Sequence, residues 1–356
     1  MCRHFAENVQ YCSIAIGKEA ASQQKKDKNK RKQEGIIDEE QDLIIKSCAL
    51  LNSGGGVLVM KIADFSSSTT FAKRLDEFWK TIEDKLTTLV KPSRYDDIFD
   101  RCEHLDTILL FINAPPHLCT IKYNLSLPGD SQVLDASYHQ IISLLTEAQK
   151  ARRQKLPNVT VSLKDLPKVP NVFKLKETLD LKECKQIQFK HYTSKTFLDS
   201  NNRTQREGVT KQMSAFANSD GGVILMGIDD NGEVCGLDLG ENGKDCIERN
   251  LQENVINKMR WSLDPERRVH WDLKFFPVAG CEAKAIVVIF VAGMRNSGGT
   301  FVKSPSSFKL LPGANGEQSL RLIDLDEWKQ RMLCTEGLQS DSKGMMMDAD
   351  FYDHIN

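Results

Sequence analysis

Three polar side chains in the second half of the chain have types and spacing that suit phosphodiester chemistry. Glu183 and Gln188 lie five positions apart in LKECKQIQFK, and Asp230 follows a later apolar run. If both segments are strands of one sheet, these side chains lie near each other at the strand ends. Carboxylates that converge from separate strands suit a divalent metal and phosphodiester cleavage. Asp229 and Asp230 are also ordinary turn formers, and spacing alone favours that interpretation.

The elements that must position these residues are a short strand and a helix–turn–strand unit. Residues 186–190 alternate polar and apolar, which predicts a half-buried strand with Gln188 and Lys190 on one side and Ile187 and Phe189 on the other. The stretch REGVTKQMSAFAN then has apolar residues at helical spacing. Asn-Ser and two glycines end this helix, and VILMGI predicts a strand that closes at the turn of residues 229–232.

The same helix–turn–strand unit occurs in the first half of the chain. ALLNSGGGVLVMKI at 49–62 matches AFANSDGGVILMGI at 215–228, with seven of the twelve positions from Leu51 and Ala217 identical. Asp38 can cap the helix that EEQDLIIKSCALL predicts before the first copy. The spacing is far too long for a solenoid, so we interpret the repeat as the duplication of a whole lobe. The glycines follow a helix and precede a strand, which is the reverse of a phosphate-binding loop.

Composition and charge exclude some classes of protein and favour one kind of partner. The 356 residues are 40% hydrophobic and 27% charged, as in a globular protein of one large or two smaller domains. No run of eighteen apolar residues occurs, which predicts no membrane span and no membrane partner. Ten cysteines without a signal-peptide pattern predict a reducing compartment. The run at 18–32 has seven basic and two acidic side chains, and it is either a polyanion-binding segment or a solvated, partly disordered one.

The chain resembles the Schlafen family, specifically its short members, over residues 12–328. The resemblance implies an α+β fold of two pseudo-duplicated AlbA-like lobes, joined by bridging segments into a U-shaped, positively lined cradle. We expect an N-terminal lobe at 1–150 with its basic segment at 18–32, a bridging linker at 151–178, a C-terminal AlbA-like lobe at 179–334 and an acidic, disordered tail at 335–356. Six blocks in the family's order carry the resemblance: CALLNSGGGVLVMKI, LCTIKYNLSL, VLDAS, IQFKHYTSK, SAFANSDGGVILMGIDDNGEVCGL and KSPSSFKL.

Nuclease members of this family cleave tRNA and rRNA with three acidic residues, whose positions the resemblance carries onto Glu183, Gln188 and Asp230. The neutral amide at position 188 removes one carboxylate from the metal site. We therefore expect a degenerate nuclease site, a pseudo-nuclease, with no cofactor; Mg²⁺ or Mn²⁺ is required only if the site is active. A glutamate at position 188 is expected to move the protein toward nuclease activity.

Many Schlafen members also bind structural zinc through an H-x-C pair and a later Cys-Cys. Here His270 remains, whereas Asp272 and Gly298-Gly299 stand where the thiols are expected. One remaining ligand does not make a zinc site, so we expect no zinc.

Three classes of function stay open. The favoured one is a catalytically impaired RNA-binding protein whose partner is tRNA or another structured RNA, which the resemblance implies to be a cytoplasmic regulator of translation and of immune-cell growth, including T-cell quiescence. The others are an active metal-dependent tRNA or rRNA endoribonuclease and a protein-interaction module without nucleic acid. The residues predicted to contact RNA phosphates are Lys25, Lys26, Lys28, Lys30, Arg31, Lys32, Lys190, Lys195, Arg203, Arg206, Arg267 and Arg268.

Overall fold

The chain folds into two compact units of mixed α and β structure. Unit 1 comprises Met1–Cys119, Lys309–Arg321 and Gln330–Asn356, and unit 2 comprises Thr120–Phe308 and Leu322–Lys329. The segment 120–150 clusters with unit 2, because its strands at 126–128 and 133–135 pack on the helix at 203–217. The computed structural model describes residues 10–16, 39–62, 69–104, 106–130, 132–154, 159–160, 162–192, 194, 202–261, 269–295, 298–312 and 318–334.

The helices and strands of the described residues are numbered separately in chain order. The helices are α1 (Glu39–Leu51), α2 (Thr69–Leu89), α3 (Tyr95–Ile98), α4 (Tyr138–Arg153), α5 (Arg203–Ala217), α6 (Gly243–Asn254) and α7 (Leu325–Cys334). The strands are β1 (Tyr11–Ile16), β2 (Gly56–Ile62), β3 (Phe99–His104), β4 (Thr107–Ile112), β5 (Ser126–Pro128), β6 (Val133–Asp135), β7 (Val159–Thr160), β8 (Phe173–Lys174), β9 (Ile187–Lys190), β10 (Gly221–Met226), β11 (Leu237–Asp238), β12 (Arg260–Trp261), β13 (Trp271–Ala279), β14 (Cys281–Ala292), β15 (Met294–Arg295), β16 (Thr300–Phe301), β17 (Phe308–Pro312) and β18 (Gln318–Leu322).

Unit 1 is built on a four-stranded sheet in the order β1-β2-β4-β3. β1 precedes α1 and β2 follows it, and the two strands pair in parallel. β3 and β4 form an antiparallel hairpin. The helix predicted before the first copy of the repeat is confirmed as α1, whose buried face includes Leu43, Ile44, Cys48 and Leu51. Gly55 follows with φ 89°, a left-handed conformation that glycine adopts without steric cost.

Unit 2 repeats this arrangement on a larger sheet in the order β8-β13-β14-β10-β9. The parallel pair β9 and β10 flanks α5, and β13 and β14 form the antiparallel hairpin. Val57 of β2 is opposite Tyr11, and its counterpart in the repeat, Val223, is opposite Ile187. The repeated phrase therefore occupies the same helix–turn–strand position in each unit. β10 ends at Met226, because Gly227 turns the chain with φ 91°.

Both faces of the unit 2 sheet are covered. On one face, Val209, Met213 and Phe216 of α5 belong to one buried cluster with Ile224 and Met226 of β10. On the other face, a second cluster includes Ile187, Phe189, Val223, Leu225 and Phe173. The predicted alternation of β9 is confirmed, but the prediction that β9 is half-buried is wrong, because α5 covers the face that was expected to meet solvent.

The asparagine of the repeated phrase holds a neighbouring backbone segment in each unit. In unit 1, Asn52 Nδ2 donates to the Cys119 carbonyl at 2.9 Å and Asn52 Oδ1 accepts from the Cys119 N–H at 2.8 Å. In unit 2, Asn218 makes the same pair of bonds to Thr300, at 3.1 Å and 2.5 Å. A side-chain amide presents an N–H donor beside a carbonyl acceptor, as an extended backbone residue does, so each asparagine takes the place of a missing strand partner.

Candidate functional site

Gln188 is the most unusual of the three residues at the positions of the family's acidic side chains. It is 1% exposed and lies beside Ile224 on the face of β9 that α5 covers. Neither its Oε1 nor its Nε2 has a hydrogen-bond partner among protein atoms. A buried amide without partners destabilises the folded state, so position 188 carries a polar group that packing alone does not explain.

Glu183 lies at the outer edge of β9. Its Oε1 accepts a hydrogen bond from the backbone N–H of Phe189 at 2.8 Å. Cys184 and Ile187 also exchange backbone hydrogen bonds on this edge. The Glu183 carboxylate therefore satisfies a strand edge that would otherwise be unpaired. The sequence predicted Glu183 as a residue of the nuclease site but gave no sign of this hydrogen bond to the Phe189 backbone.

Asp230 is exposed on the predicted turn, which the structure confirms. The Gly232 N–H donates to the Asp229 carbonyl at 3.0 Å, and Asp229 Oδ1 accepts from the Asn231 and Glu233 N–H groups at 2.9 and 2.7 Å. The bond from Glu233 is the main reason that the pKa of Asp229 lies below its ordinary value. Asp229 is thus the turn former, and the Asp230 side chain is left to solvent.

Phe189 contacts Glu183 and lies close to the turn that carries Asp230. Its N–H donates to Glu183, and a methyl group added at Gly232 would lie 3.6 Å from its ring. Glu183 and the turn at residues 229–232 therefore both adjoin Phe189, whereas the Gln188 side chain lies on the face of the sheet opposite to that of Phe189. Among the described residues, no three His, Cys, Asp or Glu side chains are placed to hold one metal ion. This donor set does not fit a divalent metal, and we derive no catalytic step through one.

Basic side chains collect where β9 ends and α5 begins. The Tyr192 hydroxyl donates to the Gln205 carbonyl at 3.3 Å, which joins the segment after Lys190 to the first turns of α5. Arg203 Nε donates to Glu207 at 2.8 Å, and Lys303 Nζ lies 3.8 Å from the same carboxylate. The bond from Arg203 is the main reason that the pKa of Glu207 is lowered.

We call Lys190, Arg203, Arg206 and Lys303 the basic cluster. One carboxylate, Glu207, pairs with two of these four cations, so the cluster keeps an excess of positive charge. Such an excess attracts polyanions. Lys303 is a member that sequence reasoning missed, although it begins the block KSPSSFKL. The other predicted phosphate contacts lie outside the described residues: Lys25, Lys26, Lys28, Lys30, Arg31, Lys32, Lys195, Arg267 and Arg268.

The corner that corresponds to the family's zinc site is built without thiols. His270 and Asp272 are exposed at the start of β13. Gly299 has φ 93°, and a Cβ added there would lie 2.6 Å from Leu125 Cδ1. Position 299 is therefore closed to any larger side chain, cysteine included, unless Leu125 moves.

We predict that the purified protein carries no stoichiometric zinc, because only His270 of the expected ligand set remains. Elemental analysis of protein purified without chelator should find far less than one zinc per chain, and chelator should leave the melting temperature unchanged. A value near one zinc per chain would show that other residues supply the ligands.

Comparison with known families decides the identity of unit 2. Residues 183–298 match the family described as Schlafen, AlbA_2, and this range begins at Glu183 and contains β9, α5, β10, β13 and β14. This match supports membership of the chain in the Schlafen family. The resemblance drawn from the sequence blocks is thereby confirmed. Membership associates the chain with nucleic-acid-related function.

A viral Schlafen protein matches a larger part of the chain. The Poxin-Schlafen protein of Cowpox virus (strain Brighton Red) is 24% identical over 301 residues, which cover 79% of this chain and 56% of the relative. The chain thus spans little more than half of the length of that relative. Among the described residues, no helix is long and apolar enough to cross a membrane.

Proposed function

We propose that this Schlafen chain binds structured RNA, with tRNA as its preferred ligand, and that its nuclease site is degenerate. The basic cluster carries the proposal, because three of its four members lie inside the segment that matches the AlbA-like family. Arginine and lysine contacts to phosphate supply affinity with little sequence reading. A folded RNA such as tRNA is recognised largely by its shape and backbone, which suits this kind of surface.

Gln188 supports the degenerate part of the proposal. Metal-assisted phosphodiester cleavage needs oxygen ligands that face a water-accessible site. The Gln188 amide is neutral and buried, and Glu183 is already bonded to a backbone N–H. From family resemblance we further propose that the protein acts in the cytoplasm as a regulator of translation and of immune-cell growth, through RNA capture rather than RNA cleavage.

We predict that tRNA binding weakens steeply with salt and depends on the basic cluster. Replacing Arg203 and Arg206 by glutamate should lower the affinity about tenfold or more and reduce the slope of log affinity against log salt by roughly 1.5, since each lost phosphate contact removes about 0.7–0.9. Fluorescence anisotropy with labelled tRNA from 50 to 200 mM KCl, a range chosen because the effect is large there, measures both quantities.

Lys174→Glu is the matched control. Lys174 is an exposed lysine that lies 3.8 Å from Glu177, and it sits on β8 at the opposite edge of the sheet from β9. Its reversal should leave tRNA affinity within about twofold of the wild type, since surface charges outside a binding site contribute little. Affinity that does not change with salt would contradict electrostatic capture. If the wild type cleaves tRNA in the presence of Mg²⁺ and Glu183→Ala does not, the protein is an active endoribonuclease and the proposal of a degenerate site is wrong.

A further inference from the structure

The outer edge of β13 is open. β8 pairs only with Val278 and Ala279, and within the described part of the chain no strand pairs with the edge of residues 271–277. The Ala292 N–H donates to the His270 carbonyl at 2.9 Å, so the even-numbered residues of β13 direct their backbone groups toward β14. Trp271, Leu273 and Phe275 therefore direct theirs outward. The Leu273 N–H donates to Asp272 Oδ1 at 3.0 Å, which is a local substitute for a strand partner.

The two faces of this strand carry different side chains. Trp271, Leu273 and Phe275 form a half-buried apolar row that packs against the α5 side of the core. Helix α6 does not seal this row, since Phe275 lines a cavity of about 630 Å³ and Trp271 lines a second one of about 290 Å³. On the opposite face, Asp272 and Lys274 are about half exposed, with Lys274 Nζ 3.9 Å from Asp272 Oδ2.

The equivalent edge of unit 1 is protected. β3 is also the outermost strand of its sheet, but after Phe99 its residues are exposed and include the charged Asp100, Arg101 and Glu103. The Arg101 guanidinium lies over the Trp79 ring at 4.8 Å. Exposed charges on an edge strand oppose its pairing with another chain. The two edges thus differ: after Phe99, β3 is exposed and carries charge on both faces, whereas β13 carries charge on one face and a half-buried apolar row on the other.

We propose that β13 is a dimerisation strand, through which two copies of this chain pair antiparallel about a two-fold axis at Leu273. In this register Leu273 faces its own copy, Trp271 faces Phe275 of the other copy, and Asp272 faces Lys274. All the outward-directed residues are then directly opposed, so each opposed pair exchanges both backbone hydrogen bonds. Opposite charges and aromatic pairs are the cross-strand pairs that stabilise sheets.

The two neighbouring registers have less favourable cross-strand pairs, so the two-fold axis is expected at Leu273. A shift that centres the pair on Lys274 places two lysines opposite each other and sets Trp271 against Pro277, which has no N–H. A shift that centres it on Asp272 opposes two carboxylates. A strand from an unrelated protein would need this same alternation of aromatic and charged residues. The self-complementarity of WDLKF therefore favours a second copy as the occupant.

Charge reversal tests this register. Sedimentation velocity of the nucleic-acid-free full chain should show wild type that dimerises as concentration rises. Asp272→Lys and Lys274→Asp should each weaken dimerisation about tenfold or more, because each places like charges opposite each other in both symmetric pairs. Mixing the two variants should restore a heterodimer, and the double variant Asp272→Lys/Lys274→Asp should restore the homodimer.

A wild type that stays monomeric at every soluble concentration would overturn the proposal, as would a dimer that the single reversals leave intact. A mixture of the two single variants that gives no heterodimer would also overturn it. If the chain stays monomeric and the backbone amides of the β13 edge are protected from hydrogen exchange only when an extended peptide is added, the edge binds another protein and not a second copy.

Cysteine crosslinking provides a second measurement that does not depend on charge. Opposed residues of a hydrogen-bonded antiparallel pair have Cα atoms about 5.5 Å apart, which suits a disulfide. Leu273→Cys should therefore form a covalent dimer on mild oxidation, above the background of the wild-type cysteines. Lys274→Cys is the matched control, because residue 274 faces residue 272 of the other copy. Equal crosslinking by both variants would overturn the two-fold axis at Leu273.

Discussion

Gln188→Glu is expected to lower the free energy of unfolding by about 3 kcal/mol at pH 7 without divalent metal. Gln188 is 1% exposed and its amide has no protein partner, so an ionised carboxylate there loses its hydration without compensation. Burial raises a carboxyl pKa by up to about 3–5 units, and each unit corresponds to about 1.4 kcal/mol. Urea denaturation in EDTA measures the change. Glutamate is nearly isosteric with glutamine, so the expected loss of stability comes from the buried charge and not from a change in side-chain size.

The pH dependence of this variant identifies the cause. The folded-state pKa of the new carboxyl lies above its unfolded value of about 4.3. The destabilisation is therefore absent below that unfolded pKa, grows as the pH rises through it, and is complete above the folded pKa. The stability difference between the variant and the wild type should shrink toward zero as the pH falls from 7 to about 4. A difference that is independent of pH would show that the carboxylate is not buried.

Divalent metal tests whether a carboxylate at position 188 can turn away from the α5 face and share a metal ion with Glu183 and Asp230. If it can, Mg²⁺ or Mn²⁺ binds only the folded variant and recovers about 2.7 kcal/mol at a concentration a hundred times its dissociation constant. The recovery should be lost in Gln188→Glu/Glu183→Ala. Metal-dependent tRNA cleavage, compared with an Asp230→Ala control, measures whether the added carboxylate also restores nuclease activity.

Gln188→Leu is the control for packing. It keeps the approximate size of the side chain and removes both unpartnered polar atoms, so it should be neutral or stabilising. A strongly destabilising Gln188→Leu would mean that the amide has partners, such as ordered water, and that burial of charge is not the whole effect. Destabilisation of Gln188→Glu without metal recovery would mean that the site has decayed beyond this one position.

Asn52→Ala and Asn218→Ala are each expected to lower stability by about 2–4 kcal/mol. Each substitution removes two hydrogen bonds to one backbone residue, Cys119 or Thr300, in surroundings where water does not readily replace them. Hydrogen exchange should show the loss locally, at the Cys119 amide in one variant and at the Thr300 amide in the other. The same substitution in the two units thus produces two separate local effects.

Ser219→Ala is the matched control for this pair. Ser219 adjoins Asn218, but its hydroxyl bonds only the Phe216 carbonyl within the same helix end, at 3.1 Å. Its loss should cost less than about 1 kcal/mol and should leave the Thr300 amide protected. Equal effects of Ser219→Ala and Asn218→Ala would contradict the role of asparagine as a substitute strand partner.

Local pattern was enough to predict the elements that depend on neighbours in sequence. Helical spacing in EEQDLIIKSCALL and REGVTKQMSAFAN predicted α1 and α5, and the residues 229–232 predicted the turn that follows β10. The repeated phrase predicted a duplication, which the matching strand order of the two sheets supports. Periodicity and turn chemistry act over a few residues, so one sequence is sufficient to recognise them.

Only the tertiary structure decided which face of each element meets water and which backbone groups lack partners. The alternation of β9 is the same whether or not a helix covers it, so the sequence could not show that Gln188 is buried under α5. Lys303 joins Arg203 through contacts between distant segments, and Asn52 and Asn218 reach backbone groups many residues away. The open edge of β13 is likewise defined by a strand that is missing beside it. These features depend on packing between residues far apart in sequence, which no local pattern encodes.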